Sequence, residues 1–175
     1  LPDHAPAALA NRERELVALQ KAVAAAKTAT LDEEIDKQIM SDGIALELLY
    51  LREIRDWEWD PRLNDSFPVY DPREIVAGRL GDMIHGDFAP EAARRKSVTA
   101  QLKALPAYLA TETKALATGK RHAPKEFVDQ AIKGNKGRIE FFETELKDFT
   151  ASDKAGEKAR VAAVAALQKY QAFLE

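Results

Sequence analysis

At 175 residues and 19.4 kDa the chain has the length of one ordinary domain, enough to bury roughly 68–70% of its unfolded surface without staples. Its 46% hydrophobic and 31% charged content excludes disordered and collagen-like classes. The net charge of −3 comes from 26 basic and 29 acidic residues mixed along the chain, which argues against nucleic acid as a partner, because phosphate binding needs a concentrated basic surface. The absence of cysteine excludes disulfides and thiolate metal sites but leaves the compartment open.

No apolar run approaches the roughly 20 residues of a transmembrane helix. The opening LPDHAPAALANRERE has neither a basic nor an apolar signal region, and the chain begins at Leu1 without methionine. Those features fit either a cytoplasmic chain or a product from which a targeting segment has been removed.

In chain order, Leu9, Leu16, Leu19, Val23 and Ala26 recur near a 3.6-residue period and predict an amphipathic helix from Pro6 to about Ala29. A second helix opens at TATLDEE, with Thr30 as N-cap and Glu33 completing a capping box, and places Leu31, Ile35 and Ile39 on one stripe. Beyond Gly43, IALELLYLREI is apolar over most of its circumference, the pattern of a helix buried between neighbours, and is expected to form the centre of the core. It should stop near Trp57, because Asp60 precedes Pro61.

The stretch RDWEWDPRLNDSFPVYDPRE holds both tryptophans and three of the eight prolines. It is expected to be a long aromatic and proline loop near Trp57–Tyr70. Its aromatic residues, Trp57, Trp59, Phe67 and Tyr70, suit either the sealed end of a helical core or a contact surface, since tryptophan and arginine typify interaction hot spots. Asp71 as N-cap, Pro72 at the first helical position and Glu74 as its partner predict a short helix through IVAGRLGDMIH, broken at Gly86 and Pro90.

Residues 91–118 read as helix that Pro106 should kink or divide. Pro124 opens a further helix through Phe149, lined by Phe127, Ile132, Ile139, Phe142 and Leu146, and a last helix runs from about Ser152 to the end with Val161, Val164, Leu167 and Tyr170 apolar. No strand pattern appears. The expected architecture is a single all-α domain over residues 1–175, a bundle of about six or seven helices. KYQAFLE ends in mid-pattern without a C-cap glycine, as expected of a fragment of a longer protein.

Chemistry-bearing motifs are few. His4, His85 and His122 are scattered, with no HExxH or HxxxH spacing. The acidic cluster Asp32, Glu33, Glu34 and Asp36 opens a helix, where the helix dipole favours negative charge. There is no Gly-rich phosphate loop, no GxSxG elbow, and GNKG at 134–137 follows no strand.

The segments LDEEIDKQIMSDGIALELLYLREIRDWEWDP (31–61), GRLGDMIHGDFAPEAARRKSVTAQLKALPAYL (78–109), APKEFVDQAIKGNKGRIEFF (123–142) and AAVAALQKYQAFL (162–174) resemble, in that order, a large bacterial family of uncharacterised proteins. The family is formally a domain of unknown function, and its members are often described as lipoproteins. They carry a gluzincin-like zinc-peptidase signature, His-Glu-x-x-Pro-Gly-His, in their C-terminal half. No position here matches that signature, so no zinc ligand or catalytic residue is carried over.

The resemblance implies a non-catalytic N-terminal helical domain of a metallopeptidase-like bacterial protein, exported or periplasmic and lipid-anchored, with cytoplasmic as the alternative. Zinc is implied for the absent C-terminal half, and no cofactor for this chain. The implied partner is that catalytic half, with peptide as a further ligand, no nucleic acid and no transmembrane segment. Trp57, Trp59, Tyr70, Arg79, His85, Arg94 and Arg95 are the candidate binding residues for one wall of a peptide cleft. The competing reading is a stand-alone interaction or scaffold domain that grips a protein partner with the Trp57–Tyr70 loop. A third is a small helical enzyme working through carboxylates and His85.

Overall fold

The computed structural model describes residues 1–63 and 76–175, and among these residues all regular secondary structure is helical, with no strand. The elements are α1 (Pro6–Ala25), α2 (Leu31–Leu49), a π-helical turn (Tyr50–Ile54), a 3₁₀ turn (Asp56–Glu58), α3 (Ala77–His85), α4 (Glu91–Thr118), α5 (Lys125–Glu143), α6 (Glu145–Thr150) and α7 (Lys154–Leu174). They fall into two compact units, residues 3–56 and residues 57–175, the latter joined by Leu1 and Pro2.

The smaller unit is an antiparallel helix pair. Pro6 occupies the start of α1, where its missing N–H costs nothing. At the turn, the Thr30 hydroxyl accepts from the Glu33 N–H at 3.3 Å, while the Glu33 carboxylate accepts from the Thr30 N–H at 3.3 Å and the Ala29 N–H at 2.6 Å. This is the predicted capping box. Lys37 closes the other side of the turn, donating to the carbonyls of Ala24 and Ala26 that α1 leaves open. At the far end Arg52 pairs with Glu13 at 2.6 Å and Arg12 with Glu47. Val23, Ile44 and Leu48 form the small core, with Leu16 and Val17 against it.

That core corrects the expectation for IALELLYLREI. Only Ile44 and Leu48 of this run are buried, and Leu49 is exposed. Gly43 does not interrupt α2, which is continuous from Leu31 to Leu49 and then widens to a π turn closed by the Arg55 N–H on the Tyr50 carbonyl at 2.9 Å. Arg55 ends it in the left-handed region, φ 48° and ψ 50°.

The centre of the larger unit is the α4–α7 pair. Val98, Leu102, Leu105, Tyr108 and Leu109 of α4 meet Ala159, Ala163, Val164, Leu167 and Tyr170 of α7, and Phe142, Leu146, Val76, Leu80 and Leu63 complete the core. The two helices run parallel, since Thr99 bonds Asp153 near their starts. Gly156 permits this approach, because a Cβ there would lie 3.0 Å from the Thr99 hydroxyl and 2.8 Å from the Asp153 carboxylate. Helix α5 runs antiparallel to α7, with Asn135 bonded to the Leu167 carbonyl and Arg160 to that of Phe142.

Three further differences from the sequence reading have local causes or none. Pro106 sits inside α4 without dividing it; the helix spans 28 residues. The predicted helix from Pro124 to Phe149 is split at Thr144, φ −114° and ψ −96°, into α5 and α6, although no proline or glycine marks the place. Val161 is exposed, leaving Val164, Leu167 and Tyr170 as the buried stripe of α7. The helix start proposed at Asp71, Pro72 and Glu74, and the loop residues Phe67 and Tyr70, lie outside the described residues.

Candidate functional site

The segment from Trp57 to Leu63 lies on the larger unit and is held from several sides. Trp57 is 7% exposed and belongs to the interior. Trp59 is half-buried and stacks on Phe127 of α5, ring centroids 6.1 Å apart and planes at 24°. The opposite requirement comes from α4: a Cβ at Gly119 would collide with the Glu58 carbonyl oxygen, so the backbone approaches there as only glycine allows.

Arg62 forks onto Asp60, with Nη2 at 2.6 Å and Nε at 2.9 Å, reaches Gln130 at 3.2 Å and lies 3.4 Å above the Phe127 ring. Beneath the backbone, Tyr170 donates to the Pro61 carbonyl at 2.6 Å and Arg138 to the Arg62 carbonyl at 2.6 Å. Leu63 has φ 59°, a conformation that costs a non-glycine residue energy and that its burial holds in place.

Under this segment lies a buried polar cluster: Arg138 and Asn135 from α5, Glu112 from α4 and Tyr170 from α7. Asn135 donates to the Leu167 carbonyl at 2.9 Å and to Gln171 at 3.0 Å, while its own carbonyl oxygen has no hydrogen-bond partner among the described residues. Burial pushes the Tyr170 hydroxyl above its ordinary value; Arg138 opposes that shift, and Glu112 and Asp60 add to it. The cluster works as an anchor for WEWDPR. It also belongs to the list of residues that periodicity missed. Asn135 and Arg138 occupy the stripe Ala131–Asn135–Arg138–Phe142, whose 4-3-4 spacing marks a buried face even though two of its members are polar.

The other nominated residues gather elsewhere. Arg94 closes the end of α3, donating to the carbonyls of Met83 at 2.7 Å, Ile84 at 3.2 Å and Ala89 at 3.1 Å. Arg95 bonds the Phe149 carbonyl, pairs with Glu91 at 2.6 Å and lies 4.5 Å over the Phe149 ring. His85 meets Glu145 at 2.8 Å, both side chains largely exposed, and Arg79 is exposed on α3. His85, Arg94 and Arg95 thus sit at the start of α4, whereas the tryptophan segment sits against its end at Gly119. Most of a 28-residue helix, about 40 Å, separates them. Tyr70 lies outside the described residues. Among the described residues no group of three or more His, Cys, Asp or Glu side chains could hold a metal ion.

The smaller unit presents a different feature. Leu31, Ile35 and Ile39 are 69%, 48% and 64% exposed, and Leu49, five turns on from Leu31, is exposed with them. Ile44 and Leu48, the residues packed in the small core, lie on the opposite side of the helix. Helix α2 therefore carries two apolar faces.

Comparison with known proteins agrees with this fold. No curated protein matches the chain. A solved structure from Shewanella oneidensis, "a putative lipoprotein of unknown function", superposes with a TM-score of 0.81 at 21% identity. The match covers 99% of this chain but 31% of that one, so the chain spans about a third of the length of this structural relative. Among the described residues no helix is long and apolar enough to cross a membrane. The family described as "Bacterial protein of unknown function (DUF885)" matches residues 1–175, every position of the sequence, and the chain belongs to that family.

Proposed function

We propose that this chain is the non-catalytic N-terminal helical domain of a longer, exported bacterial protein, and that it packs through the second apolar face of α2 against polypeptide outside these 175 residues. The observation that carries the reading is that face: large aliphatic side chains at 31, 35, 39 and 49 stand in water opposite the side that α1 covers. A row of large aliphatic side chains exposed on one helix face has the composition of an interaction surface. The length of the structural relative supports a longer polypeptide as its source. In this reading zinc-peptidase chemistry belongs to the other half, and the helical domain supplies one wall of a peptide cleft.

The alternative, in which the tryptophan loop grips a partner, has less support. Trp57 is interior and Trp59 is engaged by Phe127, so neither ring offers a free hot spot.

The test begins with the coding sequence beyond Glu175, which should contain His-Glu-x-x-Pro-Gly-His. The downstream polypeptide, expressed separately, should co-purify with this chain, and I35Q/I39Q should weaken that association at least about tenfold. Zinc titration and a peptidase screen of the 175-residue chain alone should be blank. Pieces that fail to associate, or zinc-dependent cleavage by this chain alone, would overturn the reading.

A further inference from the structure

We propose that the groove between the first half of α4 and the start of α7 docks an acidic polypeptide segment. The groove has a volume of about 540 Å³ and is open to solvent along its length, the shape that suits an extended segment better than an enclosed small molecule. Ala92, Thr99 and Ala100 form a floor of small side chains, Lys96 and Lys103 supply two positive charges beside it, and Arg95, paired with Glu91, completes the lining. Asp153 is the carboxylate that lines it among the described residues, and that group caps its own helix end, accepting from the Ala155 N–H at 2.9 Å and from the Thr99 hydroxyl at 3.1 Å.

The charge is regional. Helix α4, which supplies most of the lining, holds five Lys or Arg residues against two acidic ones, in a chain whose net charge is −3. Of those two acids Glu112 is buried and Glu91 is paired with Arg95, which leaves Lys96 and Lys103 as the unneutralised cations of the groove. Among the described residues neither Lys96 nor Lys103 is ion-paired. The two lie seven residues apart, two turns along one stripe of α4, and Lys114 continues that stripe three turns further. A row of lysines over small side chains complements a polypeptide carrying glutamate or aspartate, which can lie close to the floor while its carboxylates meet the ammonium groups.

The lining also selects against other anions. Single-stranded nucleic acid is held by aromatic platforms on which bases stack, and among the described residues no aromatic side chain lines the groove. Anionic membranes are held by basic residues together with large apolar side chains, and the groove offers only alanine and threonine between its charges.

The experiment is binding of a fluorescein-labelled glutamate-rich peptide, and of its glutamine counterpart, to the 175-residue chain by fluorescence anisotropy. The glutamate peptide should bind, more tightly at low salt than at about 0.15 M, and the glutamine peptide should not. K96E/K103E should lower affinity at least about tenfold, with K96Q/K103Q intermediate, while K21E/K27E changes it less than about twofold. Both lysines are exposed, so thermal melts of these variants should match the parent. Equal binding of the glutamine peptide, equal loss in K21E/K27E, or displacement of the peptide by an oligothymidine or by phosphatidylglycerol vesicles would each overturn the proposal. The measurement uses neither the α2 face nor any downstream polypeptide, so its outcome is separate from that of the proposed function.

Discussion

The Tyr170 hydroxyl donates a 2.6 Å hydrogen bond to the Pro61 carbonyl across 109 positions of sequence, in the buried interior of the larger unit. Replacing Tyr170 by phenylalanine would leave that carbonyl without its donor, at a cost of about 1–3 kcal/mol, measurable by urea denaturation. The pH dependence has a definite sign. Burial raises the folded-state pKa above its ordinary 10.0, so the stabilisation is complete below pH 10 and is lost as pH rises beyond it. Y170F should reduce that alkaline slope, leaving the smaller share of Tyr50, which burial also raises.

Glu157 predicts the acid limb. Arg160, itself nearly buried, donates to its carboxylate at 2.6 and 2.8 Å, and the Thr150 hydroxyl adds a bond at 3.1 Å. The Arg160 hydrogen bonds are the main reason its pKa falls from 4.5 to about 2. A depressed carboxylate stabilises the fold above its unfolded pKa, so stability should decline as pH drops from 4.5 toward 2. E157Q should flatten this decline in urea midpoints measured across that window. About a third of the Glu157 side chain is exposed, so solvent screening reduces the size of the effect.

Gly119→Ala should be costly out of proportion to one methyl group. The added Cβ meets the Glu58 carbonyl, a backbone atom that can move only with the whole WEWDPR segment. We expect a loss of about 1–3 kcal/mol, with a shift in tryptophan fluorescence that reports displacement of Trp57 and Trp59. An unchanged melting temperature would contradict the close approach.

The two tryptophans should separate by burial. Trp57→Ala should destabilise by about 3–5 kcal/mol, and Trp59→Ala, which removes a half-buried ring and its stack on Phe127, by about 1–2 kcal/mol. Equal small effects at both sites would instead mark the segment as a contact surface.

Helix ends were the most legible part of the chain, because they depend on groups within four residues of one another. Thr30 and Glu33 form the capping box, Pro6 starts α1, and Gly86 follows the last residue of α3, all as the residue types require. The site was far less legible. Residue type marks Arg138, Asn135 and Glu112 as helix surface; the spacing of Asn135 and Arg138 with Ala131 and Phe142 points inward, and neighbours on other helices decide the outcome. Arg94 shows the same limit: nothing in EAARRKS says that its guanidinium closes the end of a different helix.

By itself the sequence determined that the chain would be helical, where most helices begin, and which residues lie on apolar stripes, since a period of 3.6 residues is a local property of the backbone. Tertiary structure alone decided which stripe is covered. Ile44 and Leu48 pack in the small core while Leu31, Ile35 and Ile39, equally apolar, stand exposed. It also decided that α4 continues through Pro106 and that α5 stops at Thr144. These outcomes depend on contacts between residues distant in sequence, whose packing energy outweighs propensities of about 1 kcal/mol per residue.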